Sequence, residues 1–310
     1  MSSSPHLHLP SLADNTNQEA EETINNIWRS TTLQLLGMAQ LATDPACRDC
    51  LHSIGACLDE RFMAILELAK SGQVRPLSQI VLAENGETAS VEERFLRIGV
   101  YPLAANPLHW GHILVGLTVM ASMKLDKVVF VIAGTDARKP SMLSADTRHR
   151  LGRSVIETFY PMLVYSSLAL GTDLDGETIF GRLLNLNSRQ SMEAFYIAGA
   201  DHYRRTNANG EPDTIQKLER VVEEQEIARR KLHLISVAFL DRAGVKRQRG
   251  EVSTSLKVYI LPPLSLSFSS TAAREALCKE AFSVPLMSLP YSCLLEIRTG
   301  GLYMGEEECV

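Results

Sequence analysis

The chain has 310 residues, 45% of them hydrophobic and 22% charged, with a formal net charge of −5. That composition fits a globular protein long enough for one sizeable core and a smaller appendage. No long run of Lys or Arg occurs, which argues against nucleic acid or a membrane surface as the main partner, so any phosphate binding has to be local.

Met1 to Gln18 is polar, with neither an apolar core segment nor an arginine, and reads as neither a secretory signal nor a mitochondrial presequence. The longest apolar runs, such as Val128 to Gly134, are too short to span a bilayer. Together these features indicate a soluble, cytoplasmic protein; a homo-oligomer is compatible with them. The six cysteines are scattered through the chain and read as free thiols rather than a disulfide framework. Cys47, Cys50 and Cys57 with His52 lack the second paired half of a zinc site and fall in a helical pattern, so packed thiols are the better reading.

In chain order, residues 1–20 are Ser/Pro/Asn-rich and are expected to form a disordered tail. Residues 21–92 read as a helical appendage. Ile24, Ile27, Trp28, Thr31 and Leu35 recur at helical spacing, as do Ile54, Cys57, Leu58, Phe62, Ile65 and Leu66, with a break near Asp44-Pro45. The appendage ends in the polar stretch Ala83 to Val91.

From residue 93 to 310 strands and helices alternate. Strands are expected at Phe95–Tyr101, Lys127–Ala133, Met162–Leu168, Ala194–Ala198, Leu232–Leu240 and Leu256–Leu261. Helices are expected at Gly111–Met123, Ala145–Tyr160, Thr178–Leu186, Asp213–Arg229 and Thr271–Phe282. Apolar strands separated by such helices predict an α/β fold, a Rossmann-like parallel sheet with helices on both faces. In such sheets ligands collect beyond the carboxyl ends of the strands.

The residues that carry chemistry fall at those ends. After the first strand comes Asn106-Pro107-Leu108-His109-Trp110-Gly111-His112. Its two histidines are three apart and can face one ligand from the first turn of a helix, and Gly111 between them presents no side chain to obstruct an anion. Gly134 to Pro140, containing Lys139, follows the second strand, and Arg148 and His149 lie on the next helix. Gly199-Ala200-Asp201 follows a later strand, where glycine permits close backbone approach and a carboxylate can accept from a sugar hydroxyl. Finally Ser269-Ser270-Thr271-Ala272-Ala273-Arg274 opens a helix with hydroxyl caps, and an arginine one turn on supplies convergent donors for phosphate oxygens.

In this order and spacing the motifs resemble those of the H-x-G-H nucleotidyltransferase superfamily, and within it the nicotinate/nicotinamide mononucleotide adenylyltransferases, over roughly Phe95 to Tyr303. The closing segment Pro285 to Tyr303 is also similar to that branch. One departure is the loop from Gly99 to His109, longer than the family's compact turn, with Pro102 to Ala105 as an insertion where the acceptor should pass.

The resemblance implies transfer of AMP from ATP to the 5′-phosphate of a pyridine mononucleotide, releasing pyrophosphate. His109 and His112 would contact the ATP phosphates. Ser269, Ser270, Thr271 and Arg274 would hold the β- and γ-phosphates, with Mg²⁺ bridging them. Lys139 and Arg148 would meet the mononucleotide phosphate or close over the site, Gly199 and Asp201 would lie by the adenosine or ribose, and Asn106 and Gly111 would shape the loop around the nucleotide. The bland reading of His149 and His202 is a satisfied or surface histidine, and Trp110 either stacks on a ligand ring or packs against the appendage. Competing readings are another H-x-G-H transferase with a different phosphorylated acceptor, and a non-catalytic nucleotide sensor whose helices bind a partner. A class I aminoacyl-tRNA synthetase fits poorly, because the late signature is Ser-Ser-Thr-x-x-Arg and no tRNA-sized basic surface is evident.

Overall fold

Strands that are apolar along their whole length need cover on both faces, and here they receive it. The computed structural model of the chain describes residues 12–76, 82, 95–135, 142–202, 213–227, 233–240 and 254–303. Its centre is a six-stranded sheet of β1 (Leu96–Leu103), β2 (Lys127–Ile132), β3 (Leu163–Ser166), β4 (Met192–Gly199), β5 (His233–Leu240) and β6 (Lys257–Leu261). The spatial order is β3-β2-β1-β4-β5-β6, and every pairing is parallel. Every residue of β2 is buried, as are Met192 to Ala198 of β4, which is why these segments show no alternation of apolar and polar residues.

The chain winds outward from β1 in both directions, so the strand order reverses between β1 and β4. Their pairing runs from Leu96↔Met192 to Val100↔Tyr196, whereas β1 stays paired with β2 as far as Leu103↔Ile132. Beyond Val100 the two central strands therefore part and leave a crevice at their carboxyl ends, the position where such folds place ligands.

The same register corrects the reading of the first loop. Pro102 and Leu103 are not inserted into a loop; they extend β1 against Val131 and Ile132. Proline is tolerated because pairing to β4 has ended there and no ladder donor is missed. On the other side, Gly176 at the start of α5 lies so close that a Cβ on it would be 2.7 Å from Pro102 Cβ and 2.8 Å from the Tyr196 hydroxyl. The segment expected to obstruct an acceptor is thus largely absorbed into the sheet.

Helices α3 (Trp110–Met123), α4 (Ala145–Ile156), α5 (Gly176–Leu186) and α6 (Asp213–Ile227) accompany the strands, followed by α7 (Ser270–Cys278), α8 (Ser283–Ser288) and α9 (Tyr291–Thr299). Boundaries move by a few residues from the sequence expectation. The largest change is at α7, which stops at Cys278 before a backbone with φ 54° at Glu280. α4 passes into a 3-10 turn at Glu157–Phe159.

Two long helices precede the sheet, α1 (Leu12–Leu41) and α2 (Pro45–Lys70). Asp44 caps α2 by accepting from Ala46 N–H at 2.9 Å, and Pro45 occupies the first turn, where its missing donor costs nothing. α1 begins inside the segment expected to be a disordered tail. The reason lies in the stripe: Ala20 and Ile24 are fully buried and extend the apolar face toward the amino terminus.

The pair is held together by Trp28, which stacks on Phe62 (5.9 Å between centroids) and donates from Nε1 to Asp59 at 2.6 Å. α2 packs in turn on α3 and α8, with Arg61 Nε donating to Thr118 Oγ1 at 2.8 Å. Cys57 Sγ lies 3.3 Å from Ser265 Oγ in the loop before α7. The appendage therefore shares its apolar face with the main unit. Its expected polar end, Ala83 to Val91, lies outside the described residues.

Cys47, Cys50, Cys57 and Cys293 are free thiols, and among the described residues no group of His, Cys, Asp or Glu forms a metal-binding cluster. Cys278 at the end of α7 is disulfide-bonded. This differs from the expectation of free thiols throughout, because pairing depends on which Cα atoms meet in space and spacing along the chain does not report that. No described helix is long and apolar enough to cross a membrane.

His149, 3% exposed on α4, has Nδ1 2.7 Å from the Tyr165 hydroxyl on β3. Burial first, and the Arg148 charge second, push its pKa below the usual 6.5. The folded chain thus binds this proton less readily than the unfolded chain. Its contribution to stability is complete above about pH 6.5, begins to be lost as pH falls below that value and is gone once pH has passed the lower folded value. In urea denaturation across pH 7.5 to 5.5, His149→Gln should show a shallower loss of stability than the wild type; equal slopes would show that His149 is not the group responsible.

Candidate active site

The first turn of α3 is where the motif residues meet. His109 is its N-cap in extended conformation, and its backbone N–H donates to His112 Nδ1 at 3.2 Å, while His112 N–H donates back to His109 O at 2.9 Å. This is a capping box built from histidines. Because Nδ1 of His112 accepts, the proton of a neutral His112 resides on Nε2, so that edge is a donor.

The two rings are stacked, with centroids 3.7 Å apart and planes 15° from parallel. The histidines are not equivalent. His109 is 8% exposed, whereas His112 is half-buried.

Gly111 has a different use from the one its sequence suggested. A Cβ there would lie 2.9 Å from His109 Nδ1 and 2.9 Å from Phe268 Cδ2. The space left by its missing side chain is taken by the protein's own rings. Phe268, in the loop before α7, stacks on His109 at 5.9 Å and 21°.

The second motif docks directly on the first. Ser269 caps α7 by accepting from Ala272 N–H at 3.2 Å. Ser270 Oγ donates to Pro107 O at 3.0 Å, and Arg274 Nη1 donates to Asn106 O at 2.7 Å. Arg274 Nη2 reaches Thr271 Oγ1 at 3.4 Å. Asn106, 5% exposed, is held from two further sides: its Oδ1 accepts from the buried Tyr303 hydroxyl at 2.7 Å and from Leu143 N–H at 3.3 Å. The oxygen of its side chain is thereby committed to the protein.

Arg148 is the clearest correction. It is 1% exposed, and its guanidinium donates to the carbonyls of Leu143 (3.0 Å), Ala104 (2.7 Å), Ala133 (2.8 Å) and Gly134. It ties the ends of β1 and β2 together and has no edge to offer a mononucleotide phosphate. Trp110 is fully buried, which removes the alternative of stacking on a ligand ring. His149 is an interior histidine whose Nδ1 meets the Tyr165 hydroxyl, and His202 lies in a 3-10 turn with Ala200 and Asp201.

Of the remaining candidates, Gly199 ends β4, beside β1 in the sheet, and Asp201 follows in that turn. The Asp201 side chain and the whole of Lys139 lie outside the described residues. Sequence reasoning missed Phe268 and Tyr303. The former had a signal, an aromatic residue immediately before the hydroxyl-rich cap; the latter was seen only as part of a tail. A groove of about 580 Å³ between α5 and α6 surrounds the Asp175–Lys217 ion pair. None of the motif residues lines it, and its mixed charges select no particular ligand, so the chemistry is better assigned to the histidines.

A histidine pair at the first crossover helix and a hydroxyl–arginine helix end thus converge on one crevice of a parallel sheet, an arrangement whose donors suit an anion. Over 113 residues the chain is 29% identical to a protein of Thermoanaerobacter sp. (strain X514) described as a probable nicotinate-nucleotide adenylyltransferase, a match covering 35% of this chain. That match spans about half, 53%, of the relative's length. A Clostridium botulinum protein of the same description is 24% identical over 188 residues, covering 58% of this chain and 84% of the relative. Among solved structures, the Plasmodium falciparum nicotinic acid mononucleotide adenylyltransferase complexed with NaAD aligns at 15% identity and TM-score 0.49, over 67% of this chain and 97% of that one. No protein-family model matches the chain. The chain is thus similar to nucleotidyltransferases, and among them to nicotinate-nucleotide adenylyltransferases.

Two variants probe the frame. Arg148→Met leaves several buried carbonyls without a donor and should cost about 3 kcal/mol or more, seen as a lower urea midpoint at unchanged slope. Gly111→Ala should push both rings off the α3 backbone while suiting the helix itself, so phosphate-ligand binding should weaken with the urea midpoint little changed; intact binding would show that the ring positions are not needed.

Proposed function

We propose that the chain transfers AMP from ATP to nicotinate or nicotinamide mononucleotide, forming the dinucleotide and pyrophosphate, a step of NAD biosynthesis carried out in the cytoplasm. The observation that carries this reading is the direct docking of the Ser269–Arg274 helix end onto the Asn106–His112 loop. Groups suited to a triphosphate tail and groups suited to its α-phosphate are thereby held side by side. The similarity to nicotinate-nucleotide adenylyltransferases supports the choice of acceptor.

The chemistry asks little of a base, since the attacking phosphate is already an anion. What is required is alignment of two phosphates and donors where charge develops on the α-phosphate and on the leaving pyrophosphate. His112 offers Nε2–H from a ring fixed by its cap bond and its stack. Ser270 and Arg274 exchange the Pro107 and Asn106 carbonyls for phosphate oxygens. The guanidinium has five N–H donors, enough to keep part of its grip on the loop.

Among the described residues the site has no cluster of carboxylates that would cage a divalent ion. The donors present fit a magnesium ion brought in by ATP and held by phosphate oxygens and water. Such an ion would neutralise part of the triphosphate charge. Lys139 and Asp201 remain candidates of this proposal for the acceptor phosphate and the ribose.

The test is incubation with ATP, Mg²⁺ and each mononucleotide in turn, with chromatography for dinucleotide and pyrophosphate. Product with one or both is expected; none with either would overturn the assignment. Parallel arms with other phosphorylated acceptors separate a sister transferase, which would release pyrophosphate with one of those instead. His112→Ala should lower turnover by about two to three orders of magnitude at nearly unchanged stability, and wild-type turnover in that variant would remove His112 from the mechanism.

A further inference from the structure

We propose that Phe268 is a positioning residue of this site: it holds the His109 ring flat against His112 and makes the orientation of both imidazoles depend on where α7 begins. The proposal deepens the function given above and rests on it.

His109 is the shared member of two stacked pairs, with His112 at 3.7 Å and 15° and with Phe268 at 5.9 Å and 21°. The absent Cβ of Gly111 is what admits this arrangement, since it would meet His109 Nδ1 and Phe268 Cδ2 at 2.9 Å each. Both rings therefore rest on the same patch of α3 backbone. An aliphatic side chain at 268 could fill part of that volume, but it would present no flat π face to the imidazole.

The chain position of Phe268 gives the contact its consequence. It directly precedes Ser269, the cap of α7, and stands two residues before Ser270, whose hydroxyl holds Pro107 O at 3.0 Å. The residue that touches the ring and the residues that would touch a triphosphate thus form one loop-to-helix corner. When phosphate oxygens replace the carbonyls bound by Ser270 and Arg274, that corner shifts and the Phe268–His109 contact shifts with it. His109 passes the change to His112 through the stack and through its own N–H bond to Nδ1 at 3.2 Å. Occupation of the triphosphate end is in this way read by the ring that faces the α-phosphate.

The test compares the full-length wild type with Phe268→Leu and Phe268→Tyr by NMR of the histidine side chains, first without nucleotide and then with ATP added. In the wild type and Phe268→Tyr the His109 ring protons carry ring-current shifts from both stacked neighbours and move on ATP addition; in Phe268→Leu the contribution of residue 268 is lost and the response to ATP is reduced. In the transfer assay Phe268→Leu should lower kcat by about one to two orders of magnitude with KM for ATP within about twofold, and Phe268→Tyr should restore most of the rate. Equal His109 spectra in wild type and Phe268→Leu, or equal rate loss in the leucine and tyrosine variants, would overturn the proposal. The spectra need no reaction, so a chain that forms no dinucleotide would sink the proposed function while the ring coupling is still decided by the ATP titration.

Discussion

The turn at Asn106-Pro107 is the point on which the site depends. Its two backbone carbonyls accept from Arg274 and Ser270, and the Asn106 side chain accepts from Tyr303 and from the backbone of Leu143. The segment after β2, the first turns of α7 and the segment after α9 are thereby drawn to one spot at the mouth of the β1–β4 crevice. Buried polar atoms of this kind must be paired, and breaking any one bond leaves the others carrying a group that cannot reach water. The turn is accordingly a fixed base from which α3 presents its histidines.

The donors at this base do two jobs. Arg274 and Ser270 satisfy loop carbonyls, and under the proposed function the same atoms would meet a triphosphate, so that ligand would compete with an internal partner and link binding to loop position. Arg148 shows the contrasting case. Its guanidinium donates to four backbone carbonyls at the ends of β1 and β2 and in the loops after them, and it is closed to solvent, so it braces the base of the crevice.

The amino-terminal helices extend the same logic. α2 reaches α3 through Arg61 and Thr118, and reaches the loop before α7 through Cys57 and Ser265. Those are the two elements that carry the histidines and Phe268. The appendage thus contacts the elements that carry both walls of the site.

Local periodicity was enough to place all six strands and the major helices, because strand and helix burial impose distinct repeats on neighbouring residues. The order of the motifs was enough to put histidines and hydroxyl cap at the same sheet edge, since parallel strands all end there. What local spacing could not contain were contacts between residues far apart in sequence. The bonds from Arg274 to Asn106 and from Tyr303 to Asn106 join positions 168 and 197 residues apart. Pro102 and Leu103 read as an insertion because only the register with β2 shows them to be strand. Arg148 looked like a ligand group because charge is visible in a sequence and burial is not. Gly111 read as room for an anion, and Phe268 carried no reading at all, until packing laid two rings over the same helical turn. The chemistry of the donors was thus set by residue type, while tertiary structure decided which of them face a ligand and which hold the frame.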